Sequence, residues 1–70
     1  MDERYLTTAQ VADLLSVNRT TVLRWIESGR MSARVLRYGP RALIRIPERE
    51  VAEFIRRWED SGEDPRRDGR

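Results

Sequence analysis

Residues 16–30 read SVNRTTVLRWIESGR, and the reading of this stretch decides the fold. Asn18 is a favourable helix N-cap, because its side-chain oxygen can accept from a free backbone N–H of the first turn. Gly29 stands where a left-handed residue closes a helix C-terminus. The ten residues between them, 19 to 28, make about three turns. Val22, Trp25 and Ile26 recur at helical spacing and form the stripe expected to be buried. At about 100° per residue, Thr20 and Arg24 point almost opposite that stripe, with Leu23 and Glu27 beside them. Hydroxyls and a guanidinium on the outward face are groups that meet phosphates and base edges. Taken alone, the segment equally fits an ordinary amphipathic surface helix.

The preceding residues supply the context that this helix lacks by itself. Thr7-Thr8-Ala9-Gln10 matches a capping box, in which Thr7 caps and Gln10 reaches back from the third helical position. Leu6 and Val11 stand at the two positions of a hydrophobic staple. The helix over about Thr8 to Leu15 is expected to bury Val11, Leu14 and Leu15, and Ala12 permits close approach of a second helix. It is too short to be stable without tertiary packing. Ser16-Val17-Asn18 then forms the turn, with Val17 tucked between the helices. Helix, three-residue turn and helix together make a helix-turn-helix.

After Gly29 the periodicity changes. Arg34 to Arg37 reads as one strand and Leu43 to Ile46 as its partner, joined by the turn residues Tyr38-Gly39-Pro40-Arg41. Ile44 and Ile46 alternate with Arg45, which therefore faces away from the core. A hairpin appended to a helix-turn-helix is a wing. Its tip, with Arg37, Tyr38, Pro40 and Arg41, suits a phosphate backbone or a minor groove; a hairpin whose arginines only protect an edge is the plainer alternative. Pro47 opens the last helix at a first position, where its missing N–H costs nothing. Glu48 and Glu50 suit the positive end of that helix, and Glu53 can pair with Arg56 or Arg57 outside. Val51, Phe54, Ile55 and Trp58 form its apolar stripe, with Phe54 and Trp58 as core, not stacking platforms. Residues 61–70, SGEDPRRDGR, contain no apolar side chain and are expected to be a disordered polar tail. The sequence thus predicts a small α+β fold, a winged helix-turn-helix domain over residues 1–60 followed by the tail 61–70.

Charge and composition narrow the chemistry. The chain has 70 residues and a net charge of +2, unevenly placed. Residues 1–15 hold three acids against Arg4, for −2; residues 16–46 hold seven arginines against Glu27, for +6; residues 47–70 hold eight acids against six arginines, for −2. A one-sided central block of this kind is the electrostatic footprint of a nucleic-acid surface. The absence of Cys and His removes disulfides, thiolate metal sites and the usual general base. With no phosphate-cradling glycine loop and no convergent carboxylate pair, no enzymatic activity, cofactor or small-molecule substrate is expected. No apolar run reaches signal or transmembrane length, so a soluble cytoplasmic protein without membrane contact is expected.

The combination of YLTTAQVADLLSVNRTTVLRWIESGRM, a basic hairpin and RIPEREVAEFI resembles the small MerR-like winged-helix proteins that include phage excisionases, or recombination directionality factors. The likeness runs over about residues 5–58 and is strongest to the excisionases of actinobacterial phages. It implies a DNA-binding protein without enzymatic activity. Such a protein binds repeated sites beside a phage attachment site, cooperatively and head to tail, bends double-stranded DNA and directs a tyrosine integrase toward excision. By position, the resemblance places Arg19, Thr20, Thr21 and Arg24 in the major groove. It gives the wing contacts to Arg37, Gly39 and Arg41, with Arg34, Tyr38 and Arg45 completing the wing set. It also implies that Trp25 packs between the second helix and the wing. The short tail of mixed charge departs from some excisionases. A transcriptional regulator of the same fold would use the same surface, and an interaction module such as an antitoxin would turn the basic face to an acidic protein.

Overall fold

The computed structural model describes residues 3–68. In chain order the elements are β1 (Tyr5–Leu6), α1 (Thr8–Leu15), α2 (Arg19–Glu27), β2 (Arg34–Tyr38), β3 (Arg41–Pro47) and α3 (Glu48–Ser61), followed by a 3-10 turn over Pro65–Asp68. The three strands form an antiparallel sheet of order β1-β3-β2. This is the winged helix-turn-helix, α+β, that the sequence predicts, with one strand more than the two expected. Tyr5 pairs with Pro47 and Leu6 with Ile46, so the lead segment is part of the sheet.

Local chemistry sets the helix ends. The capping box of α1 is complete: Gln10 N–H donates to Thr7 Oγ1 at 3.1 Å and Thr7 N–H to Gln10 Oε1 at 2.9 Å. At the other end Val17 N–H reaches Ala12 O at 2.9 Å and Ser16 N–H reaches Asp13 O at 3.3 Å. These paired bonds are a Schellman motif, with Ser16 left-handed at φ 58° in the place glycine usually takes. The same motif closes α2: Arg30 N–H donates to Trp25 O at 2.9 Å and Gly29 N–H to Ile26 O at 3.1 Å, with Gly29 at φ 82°. Asn18 does occupy the N-cap of α2, but its side chain makes no capping bond.

The core is a single cluster built from all three helices and β3: Val11, Leu15, Val22, Trp25, Met31, Ile46, Val51 and Phe54, with Ala12 at the α1 contact. Its aromatic spine runs from Trp25 to Phe54, centroids 4.8 Å apart, and on to Trp58 at 5.8 Å and near-perpendicular, geometries that aromatic quadrupoles favour. Phe54 is buried and Trp58 half-buried, as expected of core positions. Leu14 is not. It is 62% exposed, because the buried face of α1 is defined by Val11, Ala12 and Leu15, and Leu14 lies about 160° around the helix from Ala12.

Three further expectations are corrected. The strands of the wing are longer than predicted and the turn is shorter, since Tyr38 pairs with Arg41 and only Gly39 and Pro40 connect them. Gly39 sits at φ 59° and proline fixes a negative φ, the pattern of a type II′ hairpin turn. Pro47 is the N-cap of α3, with extended ψ 134°, because it is still the last residue of β3; Glu48 N–H donates to Arg4 O at 2.8 Å. The segment after α3 is folded back where disorder was expected. Gly62, left-handed at φ 76°, ends the helix, and Arg66 then bonds to Asp64, stacks on Trp58 and donates to Leu15 O at 3.3 Å. A guanidinium on a ring and on a helix-terminal carbonyl can order a tail that owns no apolar residue. Residues 69 and 70 of that expected tail lie outside the described residues.

Candidate nucleic-acid interface

Helix α2 is positioned by what it buries. Val22 and Trp25 are enclosed, each contributing about 1.5–3 kcal/mol through apolar burial, and they fix which side faces out. Arg19, Thr20 and Arg24 are exposed, with Thr20 and Arg24 neighbours at i and i+4. Thr21 differs. It is 4% exposed, one residue on from Thr20 and turned inward, so of the four expected reading residues Arg19, Thr20 and Arg24 face solvent, beside the exposed Glu27. The signal was available: Thr21 precedes Val22 and lies four residues before Trp25, on the flank of the apolar stripe.

The wing's register sorts its arginines by face. Paired residues of an antiparallel ladder project to the same side, and successive pairs alternate. Val35 pairs with Ile44 and Arg37 with Ala42; Ile44 packs against the core, so Arg37 lies on the helix-bearing side. The pairs Arg34–Arg45, Leu36–Leu43 and Tyr38–Arg41 belong to the other side. Arg41 and Gly39 are exposed at the tip, next to the two-residue turn. Arg34 and Arg45 stand at the base of the wing and face away from the helices, Arg45 half-buried. The Tyr38 side chain lies outside the described residues, although its backbone belongs to β2.

The support beneath this surface includes a residue that the sequence reading did not single out. Met31 is fully buried, and its N–H donates to Trp25 O at 3.2 Å; an apolar residue just past a helix-closing glycine was the signal. Arg57 of α3 donates to Arg30 O at 3.0 Å and ties the exit of α2 to the last helix. The Trp25 ring meets Phe54 of α3, so the partner seen for its ring is the last helix, where the resemblance implied the wing.

The positive charge of this region is not consumed internally. The ion pairs among the described residues join Glu3 to Arg49, Glu53 to Arg56 and Asp64 to Arg66, and none uses an arginine of the central block. Its field is therefore available to a polyanion.

The chain matches the family model described as a helix-turn-helix domain over residues 5–59, and it belongs to that family. The match spans α1, α2, the whole sheet and α3 up to residue 59. Membership makes double-stranded DNA the ligand class of the domain. Searches of curated proteins and of solved structures returned no match. Among the described residues no helix is long and apolar enough to cross a membrane.

Proposed function

We propose that this protein is a sequence-specific, DNA-binding architectural protein of the excisionase kind. Helix α2 enters the major groove, where Arg24 and Thr20 read base edges and Arg19 meets the backbone. The wing follows the adjacent backbone or minor groove with Arg37, Gly39 and Arg41. The observation that carries this reading is the exposed Arg19–Thr20–Arg24 face on a helix rigidly seated by Val22 and Trp25, in a chain whose central block is otherwise unneutralised.

The architectural role requires several copies on one site. Bending a site by 40–90° costs about 1–6 kcal/mol, more than one nine-residue reading helix readily offsets. Copies loaded side by side on repeated sites each add phosphate contacts, and the bent assembly then favours excision by a tyrosine integrase in the bacterial host cell.

The test is a gel-shift titration on the arm of a phage attachment site, beside a shuffled duplex of equal length. A ladder of cooperative shifts on the arm alone is expected. A single shift on promoter DNA with none on the arm would reassign the surface to a transcriptional regulator. If Arg19, Arg37 and Arg41 neutralise phosphates, log K falls with log salt at a slope of about −3 per protomer. A slope near zero would remove the electrostatic basis altogether.

A further inference from the structure

We propose that the basal part of the sheet's outer face, around Leu36 and Leu43, is a docking site for an acidic amphipathic helix of a partner protein, set back from the tip residues assigned to DNA. The register places Leu36 directly opposite Leu43, with the Arg34–Arg45 pair one step toward the base on the same face. Tyr5 belongs to this face too, since it pairs with Pro47, two residues beyond Arg45. Tyr5, Arg34, Leu36 and Arg45 line a groove of about 300 Å³. The two leucines are 42% and 44% exposed, while the helices pack against the opposite face through Ile44 and Ile46.

The chemistry of the face fits protein better than DNA. Phosphate oxygens offer leucine nothing, and this pair is the third rung back from the Gly39-Pro40 tip, away from the part of a wing that inserts into a groove. An apolar centre flanked by guanidinium groups instead matches a protein contact, in which apolar anchors supply affinity and charge supplies orientation. The Arg34 guanidinium stands 6.0 Å from the Tyr5 ring centre, which holds it at the groove wall. Glu3 is bonded by Arg49 and by the Tyr5 hydroxyl, and among the described residues no ion pair engages Arg34 or Arg45, which leaves both for an incoming carboxylate. Opposed cross-strand side chains stand about 5 Å apart, close to the spacing of about 5–6 Å between i and i+4 side chains on a helix. The complementary partner is therefore a helix with two apolar anchors one turn apart and Asp or Glu on both flanks.

The test uses the full ¹⁵N-labelled chain and a synthetic amphipathic helix with leucines at i, i+3, i+4 and i+7 flanked by glutamates. Its control carries lysine in place of every glutamate. Saturable shifts of the Arg34, Leu36, Leu43 and Arg45 amides, with Thr20 and Arg24 unmoved, are expected with the glutamate peptide only. The double variant Leu36→Ser/Leu43→Ser alters exposed positions, and its spectrum reports whether it remains folded; it should bind the peptide at least tenfold more weakly. Equal shifts with the lysine peptide, or the absence of saturable shifts, would overturn the proposal. So would a duplex that moves Leu36 and Leu43 as strongly as Thr20, which would give the face to DNA. Self-association by sedimentation that the double variant abolishes would give it to a second copy and equally overturn it.

Discussion

The guanidinium of Arg66 lies 4.9 Å from the centre of the Trp58 ring, and the same group donates to the Leu15 carbonyl. One side chain from the polar end of the chain thus touches the end of α3 and the last turn of α1, where the helix dipole is negative. Arg66→Ala should lower stability, combining the loss of a cation–π contact and of a charged helix-end contact. Urea denaturation measures it. Arg66→Lys should recover only part of the loss, because an ammonium cannot hold Asp64 through two nitrogens. Identical midpoints for all three proteins would mean that the tail does not hold the helices.

Thr20 and Thr21 are neighbours with opposite duties. Thr21→Ala should cost about 1–2 kcal/mol of stability, since it removes buried atoms and a buried hydroxyl, while DNA affinity per folded molecule changes little. Thr20→Ala and Arg24→Ala should leave the melting temperature nearly unchanged. Arg24→Ala should also reduce the preference for specific over shuffled duplex by about 1–3 kcal/mol if Arg24 reads a base. Equal losses on both duplexes would place Arg24 on the backbone.

Ser16 occupies a left-handed position that costs a non-glycine residue about 1 kcal/mol or more. Ser16→Gly should therefore stabilise the fold by several tenths to about 1 kcal/mol, with some of the gain offset by the freer unfolded chain. Thermal melts of the two proteins at equal concentration decide it. A lower melting temperature for the variant would show that the serine hydroxyl contributes more than the strain removes.

Glu3 and Arg49 link the segment before β1 to α3. The hydrogen bond from Arg49, assisted by its charge and by the Tyr5 hydroxyl, holds the Glu3 carboxyl below its ordinary pKa; the Arg49 pKa is raised, chiefly by the same bond. A carboxyl depressed in the folded state stabilises above its unfolded pKa, and that contribution disappears as pH falls through the folded value. Glu3→Gln should thus melt slightly below the parent at pH 7, and the two curves should converge below the usual carboxylate range, about pH 4. The pair is exposed, so the shift should be small. An NMR titration in which Arg49→Ala moves the Glu3 midpoint back up is the more sensitive check.

The sequence made most of this fold legible where a local rule governs. The capping box, the Gly29 closure and the apolar stripes of α2 and α3 all depend on residues within a few positions of each other. What it concealed depends on partners far along the chain. Tyr5–Leu6 is too short to show strand periodicity, and only its pairing with Ile46–Pro47 makes it a strand. Leu14 looks buried by composition, but only the direction from which β3 and α3 approach decides which face of α1 is covered. Arg66 reads as solvated until Trp58 and the end of α1 are brought to it. In the candidate interface, the exposed side of α2 followed from periodicity, whereas the division of the wing arginines needed the register. Strand boundaries one or two residues too short had hidden the Tyr38–Arg41 pair, and the Arg34–Arg45 pair, inside both expected strands, needed the register.

The two-residue strand β1 also bears on the order of assembly. Its partner Ile46 lies forty positions after Leu6, while α1 and α2 are consecutive elements joined by three residues. Contacts between near neighbours close small loops and form early, and those between distant segments wait for the larger loop to close. The helix-turn-helix pair can therefore be sketched out while a nascent chain is still short. The scaffold that holds it rigid is complete only after the second wing strand has been synthesised and has captured the beginning of the chain. Amide exchange at Leu6 should report that last closure, opening ahead of the core.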